Sequence, residues 1–237
     1  MSATLRPVST PARKPCLGLQ MEGPIARWYA HISRNRRDYA ETARAVAAWL
    51  APGAAVLEVA PGPGYLAIEL ARLGPFRITG LDVSRSFVRI ATDNARRAGV
   101  AIDFQQGDVA HMPFADNTFD FVVCQAAFKN FPEPVAALDE IYRVMRPGAH
   151  ASIFDLRKDA PPDAIDREIR GMRLSALNTY LTRLTFKYGL LRAAYTRAAL
   201  DSIVRRSDFV SGDIVGDGIG FELRLVKAAT ANASSSV

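Results

Sequence analysis

The chain has 237 residues, 49% of them hydrophobic, which suits one domain with a packed core and leaves room for an appended lobe. Its two cysteines, Cys16 and Cys124, lie far apart in unlike contexts and exclude a disulfide framework. The formal net charge of +6 allows an anionic partner, but the basic residues are scattered and form no aromatic and basic cluster of the kind that binds nucleic acid. We therefore expect no nucleic-acid partner.

The N-terminal stretch "MSATLRPVSTPARKPCLGLQ" is positively charged but has no apolar core of signal-peptide length, and no apolar run approaches the ~20 residues that span a bilayer. These features predict a cytoplasmic protein with no membrane span. The same stretch is rich in proline and small residues, which predicts a disordered arm over residues 1–20. The polar ending "AATANASSSV" predicts a disordered tail over residues 228–237.

Residues 55 to 156 alternate short β-branched runs with longer helical patterns, which is typical of a parallel sheet with helices on both faces. In chain order the segments read "AVLEV", "YLAIELARL", "FRITGL", "SFVRIATDNARRAG", "VAIDFQ", "FDFVVC", "PVAALDEIYRVM" and "HASIFDL". In such a sheet, ligands bind beyond the carboxyl ends of the strands, near the point where the strand order reverses. The residues that close each strand are therefore the candidate binding residues.

After Leu156 the pattern becomes a long helical stretch, too long for a simple crossover, and we interpret residues 158–195 as an inserted helical lid. The segment "TRAALDSIVRRS" then predicts a helix that Thr196 can cap. The final segment, "DFVSGDIVGDGIGFELRLVK", predicts two strands joined by a Gly-rich turn, and hence an antiparallel pair at the sheet edge.

The turn after the first strand, in "LEVAPGPGYLAIELA", raises the question of which ligand it binds. The spacing Gly62-x-Gly64-x-x-Ala67 superficially fits the dinucleotide fingerprint, which on its own is a weak signal. A pyrophosphate favours bare N–H groups and no nearby acid, yet Glu58 lies in the strand itself. A cationic ligand without phosphate, such as S-adenosylmethionine, suits Glu58 better, and the two glycines would let the backbone approach it. The alternative is that Glu58 only hydrogen-bonds the following turn.

Two more acids close the next two strands. Asp82 ends the strand in "ITGLDVS", 24 residues after Glu58, which is close to the spacing at which an acid accepts hydrogen bonds from a ribose diol. Asp108, in "FQQGDVAHMPF", is placed to accept from an adenine amine while Val109 packs on the ring. Asp108 could instead be a turn residue. Acids at three successive strand ends make a binding site the better interpretation.

Together these segments resemble the class I S-adenosylmethionine-dependent methyltransferases, of the small-molecule type related to the quinone-biosynthesis C-methyltransferases. The matching motifs are "VLEVAPGPGYLAIEL", "GLDVS", "GDVAHMPFADNTFDFVVC" and "LDEIYRVMRPGAHASIFDL". The resemblance implies that residues 21–227 form a Rossmann-like α/β domain: a doubly wound, mostly parallel seven-stranded sheet with an antiparallel last strand and a helical lid insertion. One departure is Ala60, where the family usually has glycine, and alanine is tolerable there if it avoids positive φ.

By the resemblance, the methionine part of the cofactor would meet the first strand end, the ribose the second and the adenine the third. The implied cofactor-binding set is Tyr29, Glu58, Ala60, Pro61, Gly62, Gly64, Asp82, Val83, Ser84, Gly107, Asp108, Val109 and Gln125. Gln125, which ends the fourth strand, would lie near the methionine moiety or the sulfonium. Tyr29 would reach the cofactor carboxylate from an N-terminal helix. The alternative for that helix is an amphipathic element that places Trp28 and Ile32 in the core.

The resemblance also implies methyl transfer to a small-molecule acceptor by in-line displacement, with S-adenosylhomocysteine as the product. Positioning and exclusion of water can supply most of the acceleration, so no dedicated catalytic residue is required. The candidate acceptor-facing residues are His31, Lys129, Asn130 and Arg157. They could equally be ordinary surface residues. The three histidines show no metal-ligand spacing, and we expect no metal.

Other functions fit the sequence less well. A DNA amino-methyltransferase is disfavoured because "QAAF" stands where that family has a Pro-Pro-aromatic motif. An NAD-dependent oxidoreductase is disfavoured by Glu58 and by the absence of a Tyr-x-x-x-Lys motif. A non-catalytic or repurposed S-adenosylmethionine-binding protein is the remaining alternative, and the acids at all three strand ends favour an enzyme over it.

Overall fold

The computed structural model describes residues 21–34, 38–171, 193–216 and 218–229. The predicted arm over residues 1–20 lies outside these residues, as do most of the predicted tail and residues 172–192 of the predicted lid. The described start of the lid, Pro162–Gly171, is helical. The limits given above for the arm, the lid, the tail and the domain stay predictions.

Within the described residues, seven strands form one sheet. They are β1 Ala55–Val59, β2 Arg77–Asp82, β3 Asp103–Gln106, β4 Phe119–Gln125, β5 Met145–Leu156, β6 Asp213–Val215 and β7 Gly220–Val226. Their order across the sheet is β3-β2-β1-β4-β5-β7-β6. The first five strands pair in parallel, and β7 runs antiparallel to both β5 and β6. The predicted Rossmann-like fold with an antiparallel last strand is confirmed.

As the sequence predicted, a helix follows each of β1, β2, β4 and β5. The described helices are α1 Gly23–Ser33, α2 Asp38–Ala47, α3 Tyr65–Ala71, α4 Arg85–Ala98, α5 Pro134–Val144, α6 Pro162–Gly171 and α7 Arg197–Arg205, with a short 3₁₀ helix at Phe128–Asn130 after β4. Thr196 caps α7 as predicted, since its Oγ1 accepts from the Ala199 N–H at 3.1 Å. Among the described helices, none is long and apolar enough to cross a bilayer.

Each face of the sheet is covered by its own hydrophobic cluster. Successive strand side chains point to opposite faces, so Val56 packs with α2 and α3 while Leu57 packs with α5 and α7. All five residues of β1 are buried, which is the pattern of a central parallel strand covered on both sides. The core therefore leaves the strand ends as the places where polar groups can meet a ligand.

The strand order reverses beside β1, because β2 continues the sheet on one side and β4 on the other. Chain segments that leave the carboxyl ends of β1 and β4 diverge at such a point and open a crevice between them. Glu58, Asp82 and Gln125 lie at or next to the carboxyl ends of β1, β2 and β4, respectively. The topology thus gathers the predicted binding residues at one edge, called the carboxyl edge below.

Two glycines that face the same aromatic ring fix the packing beneath the carboxyl edge. A Cβ atom at Gly80, in the middle of β2, would lie 2.7 Å from Phe104 Cε1 and 3.2 Å from Pro61 Cγ. A Cβ atom at Gly64 would lie 2.7 Å from Phe104 Cζ and 2.9 Å from Ala91 Cβ. Both glycines are therefore required to admit the Phe104 ring under the turn that follows β1.

Replacing Gly80 with alanine should lower the free energy of unfolding by about 1–3 kcal/mol, because the added methyl group overlaps the Phe104 ring. The measurement is the midpoint of urea unfolding at an unchanged m value. Gly218→Ala is the matched control, since a Cβ atom at Gly218 would have nothing within 4 Å. Equal midpoints for the two variants would contradict this packing.

Candidate functional site

The turn of residues 60–64, between β1 and α3, has three residues in the left-handed region of backbone conformation. The φ angles are 53° at Ala60, 54° at Gly62 and 77° at Gly64. Neighbouring elements hold the turn from outside. The Gly62 N–H donates to Asp82 Oδ2 at 3.0 Å, and Asn94 Nδ2 of α4 donates to the Pro63 carbonyl at 3.0 Å. The shape of the turn is thus set by β2 and α4 as well as by its own sequence.

Alanine would be readily tolerated at position 60 if its φ angle were negative, but Ala60 has a positive φ. Its φ of 53° lies in a region that glycine adopts freely and that costs other residues roughly 1–2 kcal/mol. The Ala60 N–H donates to the Leu81 carbonyl at 2.8 Å, which extends the β1–β2 ladder by one residue. Tertiary hydrogen bonding therefore holds this residue against its own local preference.

The two glycines of the turn have different surroundings. A Cβ atom at Gly62 would have no heavy atom within 4 Å, so the space beside Gly62 is open. Gly64 faces Phe104 and Ala91 instead, as described above, and is required by packing inside the protein. Of the two, Gly62 is the glycine whose backbone borders open space.

Glu58 is a buried acid with an unpaired oxygen. It is 3% exposed, and its Oε2 has no hydrogen-bond partner within the described part of the chain. Burial raises the pKa of the Glu58 carboxyl to about 8. A hydrogen bond from the Ala67 backbone lowers this pKa, and the negative charge of Asp82 raises it further. The alternative that Glu58 serves only the turn leaves Oε2 unexplained, because buried polar atoms are nearly always paired.

Gln125, the last residue of β4, also has one unpaired oxygen. Its Nε2 donates to Asp38 Oδ2 and Thr42 Oγ1 of α2, both at 3.2 Å, while its buried Oε1 has no partner among the described residues. In the parallel β1–β4 pair, Glu58 lies opposite Val123. Val123 precedes Gln125 by two residues, so the side chains of Val123 and Gln125 lie on the same face of β4. The side chains of Glu58 and Gln125 therefore emerge on the same face of the sheet, at adjacent strand ends.

Asp82 joins three segments at the carboxyl edge. Its Oδ2 accepts from the Gly62 N–H at 3.0 Å, and its Oδ1 accepts from the Ser84 N–H at 2.9 Å. Burial raises the pKa of Asp82, and these two N–H groups oppose the rise. Ser84 begins α4 as its cap, with Oγ accepting from the Phe87 N–H at 3.1 Å. Val83 lies between Asp82 and Ser84 and is 71% exposed. A residue that contacts a ligand at this edge would be exposed in this way.

Asp108 forms a tight turn after β3. Its Oδ1 accepts from the Ala110 N–H at 3.0 Å, which is the turn contact that the sequence left open as an alternative. The side chain is still 54% exposed at the carboxyl edge. The Gly107 N–H donates to the Asp82 carbonyl at 3.0 Å and aligns the two strand ends, while Val109 packs half-buried against the core.

Helix α1 covers the beginnings of α3 and α4. The Tyr65 hydroxyl donates to the Ala30 carbonyl at 2.8 Å. The Tyr29 ring packs edge-on against Phe87, with the ring centroids 5.9 Å apart. Since α3 and α4 begin where β1 and β2 end, α1 lies over the carboxyl edge.

The interpretation that α1 places Trp28 and Ile32 in the core is wrong. Trp28 is 61% exposed and Ile32 is 53% exposed. The buried residues of α1 are Ala26, Ala30 and Ser33, whose small side chains let the helix backbone approach its neighbours closely. His31 lies on the exposed side with Trp28 and Ile32.

Two of the candidate acceptor-facing residues lie in ion pairs. Lys129 Nζ donates to Asp155 Oδ1 at 2.8 Å, and both side chains are buried. Arg157 Nε donates to Asp159 Oδ1 at 2.9 Å from a half-buried position. Both candidates are thus held in place by a neighbouring carboxylate. Asn130, next to Lys129, is exposed.

Several residues that shape the site were not singled out from the sequence: Glu22, Asp38, Thr42, Tyr65, Gly80 and Asn94. Asn94 had a signal, because it is a polar residue three positions after the buried Ala91 of α4. Glu22 had none, since its partner is remote in sequence: its Oε2 accepts from the Ser86 N–H at 3.2 Å, and hydrogen bonds from Ser86 and Ser84 lower its pKa.

Comparison with known proteins agrees with this geometry. Residues 57–153 match the family model described as a methyltransferase domain. The chain is 34% identical over 115 residues to a 2-phytyl-1,4-naphtoquinone methyltransferase of Synechococcus elongatus, covering 47% of this chain and 49% of that protein. It is 38% identical over 117 residues to a demethylmenaquinone methyltransferase of Lactiplantibacillus plantarum, covering 48% and 49%. The chain thus spans about half the length of these curated relatives.

The fold is also similar to that of solved structures. A SAM-dependent methyltransferase from Aquifex aeolicus superposes with a TM-score of 0.66 at 18% identity, covering 86% of this chain and 98% of that chain. At this identity the likeness shows the fold alone. The domain match, the named relatives and the fold together confirm the resemblance that the motifs indicated.

Replacing Ala60 with glycine should raise the free energy of unfolding by up to about 1 kcal/mol, because relief of the left-handed strain exceeds the added flexibility of the unfolded chain. Urea unfolding measures the change. Ala55→Gly, in β1 of the same segment, is the control and should destabilise the protein. Destabilisation of both variants to the same extent would contradict strain at residue 60.

The stability of the ligand-free protein should fall as pH rises from about 4.5 to about 8, because folded Glu58 keeps its proton in this window while the unfolded chain releases it. Glu58 alone contributes a slope of up to about 1.4 kcal/mol per pH unit. Glu58→Gln should remove that contribution in urea unfolding at a series of pH values. Glu69→Gln, on α3, is the control, and an unchanged slope in Glu58→Gln would contradict the raised pKa.

Proposed function

We propose that this chain, whose residues 57–153 match the family model of a methyltransferase domain, is a class I enzyme that transfers a methyl group from S-adenosylmethionine to a small-molecule acceptor. The fold and the domain match support the reaction class. The residues at the carboxyl edge support the choice of cofactor, and the names of the relatives support the class of acceptor.

The observation that carries the proposal is the pair of unpaired acceptors at the carboxyl edge. Glu58 Oε2 and Gln125 Oε1 are both buried and both lack a donor within the described residues. They lie on one face of the sheet at adjacent strand ends. A ligand that completes Gln125 Oε1 must bring a hydrogen-bond donor, and a positive charge would stabilise the ionised form of Glu58, which then accepts at both oxygens. The ammonium group of a methionine moiety has both properties, whereas a pyrophosphate has neither.

The adenosine side is supported by the acids that follow β2 and β3. Asp82 accepts one N–H at each oxygen, and each oxygen retains a lone pair for a ribose hydroxyl. The exposed Val83 and the half-buried Val109 offer apolar surface at the same edge as the accessible Asp108. We propose these four residues as the ribose and adenine contacts.

S-adenosylmethionine, when bound, supplies an electrophilic methyl group on a cationic sulfonium. The residues of the chain then have to bind the cofactor, orient it toward the acceptor and exclude water. The turn of residues 60–64 presents backbone beside the open space at Gly62. Glu58 and Gln125 would anchor the methionine end, and α1 would cover the edge from outside. Holding donor and acceptor in line is sufficient to account for most of the rate acceleration in such a displacement.

The acceptor class is inferred from the relatives, which are named for quinones. We infer a quinone-like small molecule, with a ring that packs against apolar side chains. Lys129 lies beside β4 in a buried ion pair with Asp155, and we propose that it contributes to positioning at this strand end. Asn130 remains a polar candidate for contact with the acceptor, since it is exposed just after β4, whereas His31 lies on the side of α1 that faces away from the domain.

Calorimetric titration tests the choice of cofactor. S-adenosylhomocysteine should bind with roughly micromolar affinity, and NADH should not bind. Asp82→Ala should weaken binding by about 1–3 kcal/mol, because the turn and the ligand both lose an acceptor. Asp93→Ala, on the exposed side of α4, is the matched control and should bind like the parent.

Two outcomes would oppose the proposal. Unchanged affinity in Asp82→Ala would show that the ligand does not bind at the carboxyl edge. Binding of S-adenosylhomocysteine without transfer of labelled methyl groups to demethylated quinones would favour a non-catalytic binding protein. Transfer to such an acceptor, lost when the donor is omitted, is the expected result.

A further inference from the structure

The excess positive charge of the chain is concentrated at its N-terminal end, although basic residues are scattered along the whole sequence. Residues 1–37 hold seven of the 30 Lys and Arg residues and one of the 24 Asp and Glu residues, so the remaining 200 residues hold 23 of each and carry no net formal charge. The entire excess of +6 therefore belongs to the first 37 residues. Between Gly23 and Arg37 the sequence contains four arginines and no acid.

The exposed side of α1 combines this charge with large apolar side chains. Its exposed residues follow the spacing of one helical face: Pro24, Arg27, Trp28, His31 and Ile32. Trp28 and Ile32 are neighbours on this face, one turn apart, and both are more than half exposed. We call Arg27, Trp28, His31 and Ile32 the outer face of α1.

The opposite side of α1 is fixed to the domain, so the outer face is presented outward. The Gly23 N–H donates to Ser86 Oγ at 2.9 Å, and the Met21 carbonyl accepts from Ser84 Oγ at 2.7 Å. The Ala30 carbonyl accepts from Tyr65 as described above. A helix held at both ends in this way does not need its outer face for folding, and that leaves two large apolar side chains in water.

We propose that the outer face of α1 docks on the surface of a bilayer that contains anionic lipids. Arginine is attracted to such a surface, and tryptophan is favoured at the level of the headgroups. Side chains such as Ile32 gain by insertion at the boundary of the acyl chains.

The apolar members distinguish this partner from other anionic ones. A nucleic acid would engage Arg27 and the other arginines through phosphates, and it would leave Ile32 without a contact that stabilises it. A bilayer surface accommodates both kinds of side chain on one helical face. The spacing of Trp28 and Ile32 among basic residues therefore favours a membrane surface.

Docking through α1 would turn the carboxyl edge toward the bilayer, because α1 lies over the beginnings of α3 and α4. An acceptor that resides in the membrane would then reach the site without crossing water. This consequence for the acceptor rests on the proposed function, whereas the docking itself does not.

Co-sedimentation of the full chain with large unilamellar vesicles tests the docking. The chain should partition at least about tenfold more strongly into phosphatidylcholine vesicles that contain phosphatidylglycerol than into phosphatidylcholine alone, and added salt should weaken the binding. The double variant Trp28→Ser with Ile32→Ser should lose about tenfold or more of this partitioning. Trp49→Ser is the matched control, because Trp49 is also exposed but lies after α2, where it packs on the His150 ring.

Fluorescence gives a second readout, since Trp28 and Trp49 are the two tryptophans of the chain. In Trp49→Phe, emission from Trp28 should shift to shorter wavelength when anionic vesicles are added. In Trp28→Phe, emission from Trp49 should stay unchanged.

Equal vesicle binding by the parent and the double variant would overturn the proposal, and so would a parent that binds neither kind of vesicle. Tighter binding to duplex DNA, insensitive to the double variant, would also overturn it and assign the basic segment to nucleic acid. Titration with S-adenosylhomocysteine in the same preparations keeps the two proposals apart. A parent that binds vesicles but not this ligand contradicts the proposed function and supports the docking.

Discussion

The cost of burying Glu58 is the constraint on which the carboxyl edge depends. β1 is the central strand, with all of its residues buried, so an acid placed near its end is removed from water whether or not a partner is present. Burial raises the pKa of Glu58, and the hydrogen bond from the Ala67 backbone offsets only part of that rise. A structural acid would be paired by its neighbours. The burial of the Glu58 carboxyl is explained if a bound molecule supplies the positive charge that compensates it.

The turn beside Glu58 is held in shape by the rest of the fold rather than by its own sequence. Ala60 adopts a conformation that alanine disfavours, and it does so because the β1–β2 ladder continues through its N–H group. Beneath the turn, the Phe104 ring fits only because residues 64 and 80 lack a side chain. Strain at a binding turn is commonly maintained in this way by a rigid surround. The carboxyl edge is therefore preorganised before any ligand arrives.

Local patterns were sufficient to predict most of the fold. The β-branched runs and the helical patterns gave the strands, the helices between them and the cap at Thr196, since each depends on residues close in sequence. The positions of Glu58 and Asp82 at strand ends also followed from local reading. What could not be read locally was the pairing of distant groups, such as Lys129 with Asp155 or Gln125 with Asp38.

Two further differences have a physical reason. The backbone angle of Ala60 depends on ladder contacts with a strand some twenty residues away, which no pattern around Ala60 reveals. For α1, the amphipathic pattern identified a helix face correctly but assigned it to the core, because apolar periodicity does not say whether a face meets protein or something else.

Counting the protons released on ligand binding tests the central claim, that a cationic ligand group completes Glu58, most directly. Calorimetric titration with S-adenosylhomocysteine at pH 7, in two buffers of different ionisation enthalpy, gives this number. The parent should release close to one proton per ligand, because a nearby ammonium group lowers the pKa of Glu58 from about 8, and Glu58→Gln should release none. The same proton count in both proteins would show that the ligand does not meet Glu58.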